Sequence, residues 1–269
     1  MNYEKSTYNL NNEPILTILG RGNKDKEGKI TETDLNAYVA AAIPIAKRKG
    51  LSISALRKDL EKDYLYETII CTGGVTTKNG PPESWDMYNI IQESFPFEQI
   101  GSLSILLEPN PNPSLEQLGS YDTGTNFLEV KKLVGNDISI VATRSQINRA
   151  IKMAEMQGMH VYEAYVTEDV LTELRVEFPQ GYEMLQKYRL SDKQKYAIIS
   201  DLLGRVLAYF EPTGLGVTNQ ITAFLRHRGN PFQNFMQKKL DNMLIKIANE
   251  VYIIIRIEIK TIIFKKACI

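Results

Sequence analysis

The segment from Asn23 to Asp34 has oxygen-bearing side chains at the spacing of a calcium-binding loop. Positions 1, 3, 5, 9 and 12 are Asn23, Asp25, Glu27, Thr31 and Asp34, with Gly28 at position 6. Hard cations prefer converging oxygen ligands of this kind. However, position 12 is not the usual bidentate glutamate, and two lysines weaken the negative field. The pattern favours a solvated loop that caps the next helix, leaves calcium binding open, and assigns no metal or cofactor.

Cys71 is the one candidate nucleophile with a suggestive neighbourhood, because Gly73 and Gly74 follow it closely. A reactive thiol needs a lowered pKa and often a nearby base. Neither His160 nor His227 stands in a context that places it near Cys71. A buried, inert cysteine is the favoured interpretation. The glycines also match neither common nucleotide-binding loop, so the chain carries no catalytic motif and an enzyme is not the leading expectation.

Basic residues are interleaved with tyrosines in the second half of the chain. Cations can neutralise phosphates, and aromatic rings can stack on unpaired bases. This pattern predicts a track for single-stranded nucleic acid, RNA in the first instance, formed by Arg144, Arg149, Lys187, Arg189, Lys193, Arg226, Arg228, Lys238 and Lys239.

The net charge of zero conceals an uneven distribution. Residues 1–134 contain 14 basic and 18 acidic side chains, whereas residues 135–269 contain 18 and 14. Such asymmetry favours a polyanionic partner. The competing interpretation is an ordinary solvated surface, since lysine and arginine commonly cover exposed helix faces.

Most of the local patterns that would position these residues are helical. Apolar spacing and capping residues predict helices over Thr33–Lys49, from Ser52 or Ser54 to Tyr66, over Ser84–Glu93, from a capping box at Thr143–Gln146 to Gln157, from Thr167, from a capping box at Ser191–Gln194 to Phe210, over Asn219–His227, and from Pro231. A buried strand is predicted at Gly101–Leu107. The predicted fold class is therefore mainly α, a multi-helix globular protein of one or two lobes with a few short strands and a strand-like C-terminal tail.

Three regions are predicted along the chain. Alternating prolines in Asn110–Ser114 exclude both helix and ladder hydrogen bonding and mark a boundary. We expect an N-terminal helical lobe at 1–115, a basic helical lobe at 116–250 and a strand-like tail at 251–269. The tail alternates with period two in Ile255–Lys260, so it is expected to pair within the chain or with another subunit.

Composition sets the expected environment. The chain is 43% hydrophobic and 24% charged, with two cysteines, so it should fold without disulfides in a reducing compartment. The start lacks the apolar region of a signal peptide. The most apolar window, Ile245–Phe264, carries five charges and cannot form a membrane span. We expect a cytoplasmic protein with no membrane partner that forms a homo-oligomer.

The leading functional hypothesis is a nucleoprotein-like protein that binds single-stranded RNA and assembles on it. The organisation is similar to that of small helical nucleoproteins that coat RNA, in shape and charge alone. One alternative is an enzyme or small-ligand binder with a pocket between lobes, with or without Cys71. Another is a structural module that oligomerises through its C-terminal tail.

Overall fold

Five parallel strands form the centre of the protein. The computed structural model describes residues 14–20, 29–58, 64–74, 81–108 and 123–190. Within these residues the strands join one sheet in the order β3-β2-β1-β4-β5. The strands are β1 (Ile15–Leu19), β2 (Thr68–Thr72), β3 (Ser104–Glu108), β4 (Asp137–Ala142) and β5 (His160–Val166). Segments from both sides of residue 115 therefore contribute to a single sheet.

In the described part of the chain, seven helices alternate with the strands and cover both faces of the sheet. They are α1 (Glu32–Arg48), α2 (Glu83–Ser94), α3 (Phe97–Ile100), α4 (Thr123–Val134), α5 (Ile147–Met156), α6 (Thr167–Glu173) and α7 (Pro179–Arg189). On one face, α1, α2, α6 and α7 share a core with Leu16 and Ile18 of β1. On the other, α4 and α5 pack against Ile15 and Leu19. The described part of the chain is a three-layer α/β/α fold.

The predicted mainly α fold is wrong. The central strands are short apolar runs, such as Ile15–Leu19, in which every residue is buried. A parallel strand covered by helices on both faces loses the polar alternation that identifies half-buried strands, so periodicity cannot separate it from a helix segment. The strand predicted at Gly101–Leu107 overlaps β3, which lies at one side of the sheet and keeps exposed positions.

Helix α1 was predicted closely. Its capping box is present: Thr31 Oγ1 accepts from the Asp34 backbone N–H at 3.2 Å, and Asp34 Oδ2 accepts from the Thr31 N–H at 2.7 Å. The helix runs through Pro44 and ends at Arg48, one residue before the predicted Lys49. It is buried over nearly its whole length, because the sheet, α2, α6 and α7 surround it.

Unlike the start of α1, the starts of two further helices were predicted wrongly. Residues 51–58 form no helix; instead Leu56 and Arg57 exchange backbone hydrogen bonds with Ala164 on the outer edge of β5. The capping box at Thr143–Gln146 is absent, since α5 begins at Ile147 and Gln146 makes no side-chain cap. The predicted end of this helix is close to the observed one: α5 ends at Met156, Gln157 is its C-cap, and Gly158 follows with φ 73°, a conformation that favours glycine.

The remaining expectations concern residues outside those described. They include the capping box at Ser191, the later helices and the strand-like tail. Across the part of the chain that the structure describes, no helix is both long and apolar enough to cross a membrane.

Candidate ligand site at the carboxyl edge of the sheet

The strand order places the carboxyl ends of β1 and β4 side by side. The chain leaves β1 toward α1 on one face of the sheet, and it leaves β4 toward α5 on the other. In open parallel sheets, ligands bind outside the carboxyl ends of the strands where successive connections diverge in this way. We call this place the crossover crevice; its described borders are Gly20, the first turn of α1 and the turn 143–146.

Glu32 closes the crevice from the α1 side. It lies in the first turn of α1, where the helix dipole favours a carboxylate, and only 6% of it is exposed. Its Oε1 accepts hydrogen bonds from Thr143 Oγ1 at 2.8 Å and Ser145 Oγ at 2.9 Å. The two hydroxyls lie 3.1 Å apart. The carboxylate thus fixes the β4–α5 turn, and Ser145 remains half-exposed at the crevice.

A second carboxylate holds the same turn from the opposite side. Glu168, in the first turn of α6, accepts from the backbone N–H of Arg144 at 2.8 Å. Burial raises the pKa of Glu168, and the nearby Glu32 adds to that rise. The guanidinium of Arg144 pairs with Asp169, and 64% of the Arg144 side chain is exposed. The turn therefore presents one cation to solvent between acidic groups.

Neutral polar groups link α1 to the ends of β1 and β5. Asn36 Oδ1 accepts from Thr167 Oγ1 at 2.7 Å, and Asn36 Nδ2 donates to the Leu19 carbonyl at 3.5 Å. Both Asn36 and Thr167 are fully buried. These bonds fix the height of the first α1 turns against the sheet, and hence the position of Glu32.

The neighbouring strand ends require two glycines. A Cβ placed on Gly20 or Gly73 would overlap the buried side chain of Glu83, which starts α2. The strand ends are tied together here, because Gly20 N donates to the Thr72 carbonyl at 2.8 Å. Glycine lets Glu83 lie directly on this backbone.

The crevice is richer in acceptors than in cations. Glu32, Glu168 and Asp169 contribute carboxylates, whereas Arg144 contributes the guanidinium described above. Hydroxyls that can both donate and accept come from Thr143 and Ser145. Such a surface suits a ligand that presents hydrogen-bond donors. Within the described residues, no group of three or more His, Cys, Asp or Glu side chains is placed to hold a metal ion.

The segment Asn23–Asp34, which has the ligand spacing of a calcium-binding loop, follows a strand rather than a helix. An EF-hand needs a helix on both sides of its loop, but β1 precedes this segment. Thr31 and Asp34, which would supply positions 9 and 12, are engaged in the α1 capping box. Positions 23–28 lie outside the described residues.

Cys71 is not a reactive thiol in the folded protein. It lies within β2 and has no solvent exposure. Burial strongly raises the pKa of the thiol, which opposes formation of the thiolate nucleophile. The favoured interpretation of a buried, inert cysteine is confirmed, and the enzyme alternative loses its thiol version.

The predicted basic residues fall in different parts of the structure. Arg144 lies at the crevice and Arg149 on α5, while Lys187 and Arg189 end α7. Lys187 pairs with Glu183 one turn earlier at 2.8 Å. The other members of the track are outside the described residues: Lys193, Arg226, Arg228, Lys238 and Lys239. Nucleic-acid binding stays a prediction.

The residues that define the crevice were missed by sequence reasoning, apart from Arg144. Thr143 was assigned to a helix cap, and Glu32 and Glu168 received no role in the predicted site. A signal was nevertheless present for Thr143 and Glu168, because each comes within two residues of the end of a short, largely apolar segment of the kind that forms a buried parallel strand. If those segments had been predicted as parallel strands, their carboxyl ends would have been expected at the same edge of one sheet.

Comparisons with models of protein families, with curated proteins and with solved structures find no match to this chain.

Proposed function

We propose that this protein binds a small polar molecule in the crossover crevice, through groups of the ligand that donate hydrogen bonds to its carboxylates. The observation that carries the proposal is the meeting of Glu32 with Thr143 and Ser145 across the ends of β1 and β4. This is the place where doubly wound sheets receive small ligands. The small-ligand alternative is therefore retained, with its binding site at the carboxyl edge of the sheet rather than at a boundary between two lobes.

The ligand chemistry follows from the charges around the turn. Glu32 is nearly buried and Glu168 largely so, so an additional anion beside them would be repelled without much screening by water. Hydroxyl and ammonium groups instead find ready acceptors there. Arg144 can engage one anionic group at the outer rim, because its pairing with Asp169 is exposed and therefore weak. A polyol or an amine, with or without one acidic group, fits this pattern best.

Catalysis at the same place would use Glu168. Burial raises the pKa of this carboxyl group, so it is more readily protonated than an exposed one. Such a group can donate a proton to a bound ligand. Binding is the primary proposal, and proton transfer by Glu168 would follow from it.

The test is a panel of polyols, amines, nucleosides and small carboxylic acids screened by thermal shift and measured by calorimetry. Glu32→Gln keeps the shape of the side chain but removes its charge. A hydrogen bond to a charged group contributes about 1.5–3 kcal/mol, so affinity should fall by about 10- to 100-fold. Glu93→Gln, at an exposed position on α2, is the matched control and should leave affinity unchanged.

The competing outcomes are distinct. Ligands whose affinity depends on Glu32 and Ser145 but not on Glu93 support the proposal. Ligands that bind equally well to Glu32→Gln, Ser145→Ala and the unaltered protein would place binding elsewhere and overturn it.

A further inference from the structure

A β-bulge in β5 turns a glutamate into the core, far along α1 from the crossover crevice. Ile138 pairs with Val161, but Ile140 pairs with Ala164, so Ser139 alone faces the two residues Tyr162 and Glu163. Bulges of this kind change the direction in which a side chain points. Glu163 is consequently buried completely, on the side of the sheet covered by α1.

One oxygen of this carboxylate has three donors. Glu163 Oε2 accepts from Lys47 Nζ at 3.1 Å, from Tyr165 OH at 2.5 Å and from the hydroxyl of Tyr66. Ser139 supports the bulge, because its Oγ accepts from the Glu163 backbone N–H at 3.2 Å and lies 2.8 Å from Tyr66 OH. The Lys47–Glu163 pair thus joins the last turn of α1 to the edge strand.

The other oxygen, Glu163 Oε1, is buried and accepts no hydrogen bond from any residue that the structure describes. A buried polar atom without a partner destabilises the folded state, and more so when it belongs to a charged group. Among the described residues, the Glu163 carboxylate is therefore hydrogen-bonded through one oxygen only.

The surroundings restrict what can bind there. Lys47 opposes a second cation, and the charge of Glu163 itself opposes an anion. Complete burial and the packed rings of Tyr66 and Tyr165 exclude a large molecule. What remains is a small neutral hydrogen-bond donor, and buried water characteristically binds polar groups that the protein leaves unsatisfied.

We propose that Glu163 Oε1 is the anchor of an internal water site that completes the buried network and stabilises the β5 bulge. The site is independent of ligand binding at the crossover crevice, because it lies against the opposite end of α1.

The direct test is a crystal structure of the unaltered protein at a resolution that shows ordered solvent. An ordered water within about 3.2 Å of Glu163 Oε1 is expected. A well-ordered Glu163 whose Oε1 contacts only carbon atoms, or a protein donor, would overturn the proposal. This measurement needs no variant and so does not depend on a variant that folds.

Water relaxation dispersion in solution supplies a second readout. Glu163→Met removes both oxygens while keeping a side chain of similar length, and it should lower the number of long-lived internal waters by one. Glu93→Met, at an exposed site on α2, is the control and should leave that number unchanged. An unchanged number in folded Glu163→Met would contradict the site.

Discussion

At the residue scale, the carboxylates around the turn 143–146 differ in how their charge is supported. Glu32 Oε1 accepts two hydroxyl hydrogen bonds, whereas the Glu168 carboxylate accepts from the backbone N–H groups of Arg144 and of Glu168 itself. Burial is the larger influence on Glu168 and raises its pKa. Glu168 should therefore make the stability of the protein depend on pH.

The raised pKa of Glu168 predicts how the free energy of unfolding depends on pH. Because its pKa is higher in the folded than in the unfolded protein, its contribution to stability is fully present below the ordinary carboxyl pKa. That contribution is lost as pH rises through the raised value. Glu168→Gln cannot ionise, so its free energy of unfolding should increase relative to that of the unaltered protein across this interval. Urea denaturation at a series of pH values measures the difference; a constant difference would contradict the raised pKa.

We predict that the Cys71 thiol does not react with thiol reagents until the protein unfolds. It is buried in β2 and its pKa is raised, so the thiolate is rare and inaccessible. In a Cys268→Ser background, which leaves Cys71 as the only cysteine, a thiol reagent should react at the rate of unfolding and immediately in denaturant. Rapid labelling of the native protein would show that β2 opens or that Cys71 is exposed.

At the scale of elements, the helices were more predictable than the strands. α1 was predicted from its apolar run, and α6 begins at the predicted Thr167. β1 and β2 carry no comparable local signal, since each is a five-residue run buried on both faces. Their identity depends on the helices that cover them, which is tertiary information that a short window does not contain.

The packing of Glu83 on the strand ends predicts a coupled effect of two substitutions. Gly20→Ala places a Cβ against Glu83 and should destabilise the protein by about 1–3 kcal/mol, as overpacking does. Glu83→Ala opens that space, so Gly20→Ala should cost less in its presence. A double-mutant cycle from denaturation curves measures the coupling. Equal costs in both backgrounds would show that the Gly20 and Glu83 positions do not constrain each other.

At the scale of the whole molecule, the topology gathers residues that are distant in sequence. Glu32, Thr143 and Glu168 come from three separate strand-to-helix connections, and only the order β1-β4-β5 brings them to one turn. No spacing pattern in the sequence encodes that meeting. Individual polar residues after apolar runs were visible, but the crevice follows from the sheet.

Nucleic-acid binding is a separate prediction for the whole chain, because five of its nine residues lie outside the described part. Fluorescence anisotropy with labelled single-stranded RNA across a salt series should show affinity falling steeply as salt rises. Charge reversal at Arg226 and Arg228 should weaken binding and reduce the salt slope, whereas Lys132→Glu, at an exposed position of α4 outside the predicted track, serves as the control. No binding at low salt would remove the hypothesis.

The most direct test of the central claim is amide NMR mapping of a ligand from the small-molecule panel on isotope-labelled protein. We predict that the largest shift changes fall at Gly20, Glu32 and residues 143–145, with smaller changes at Thr167 and Glu168. Changes centred on the amino ends of the strands, or on the helix surfaces away from the crevice, would contradict the proposed binding site.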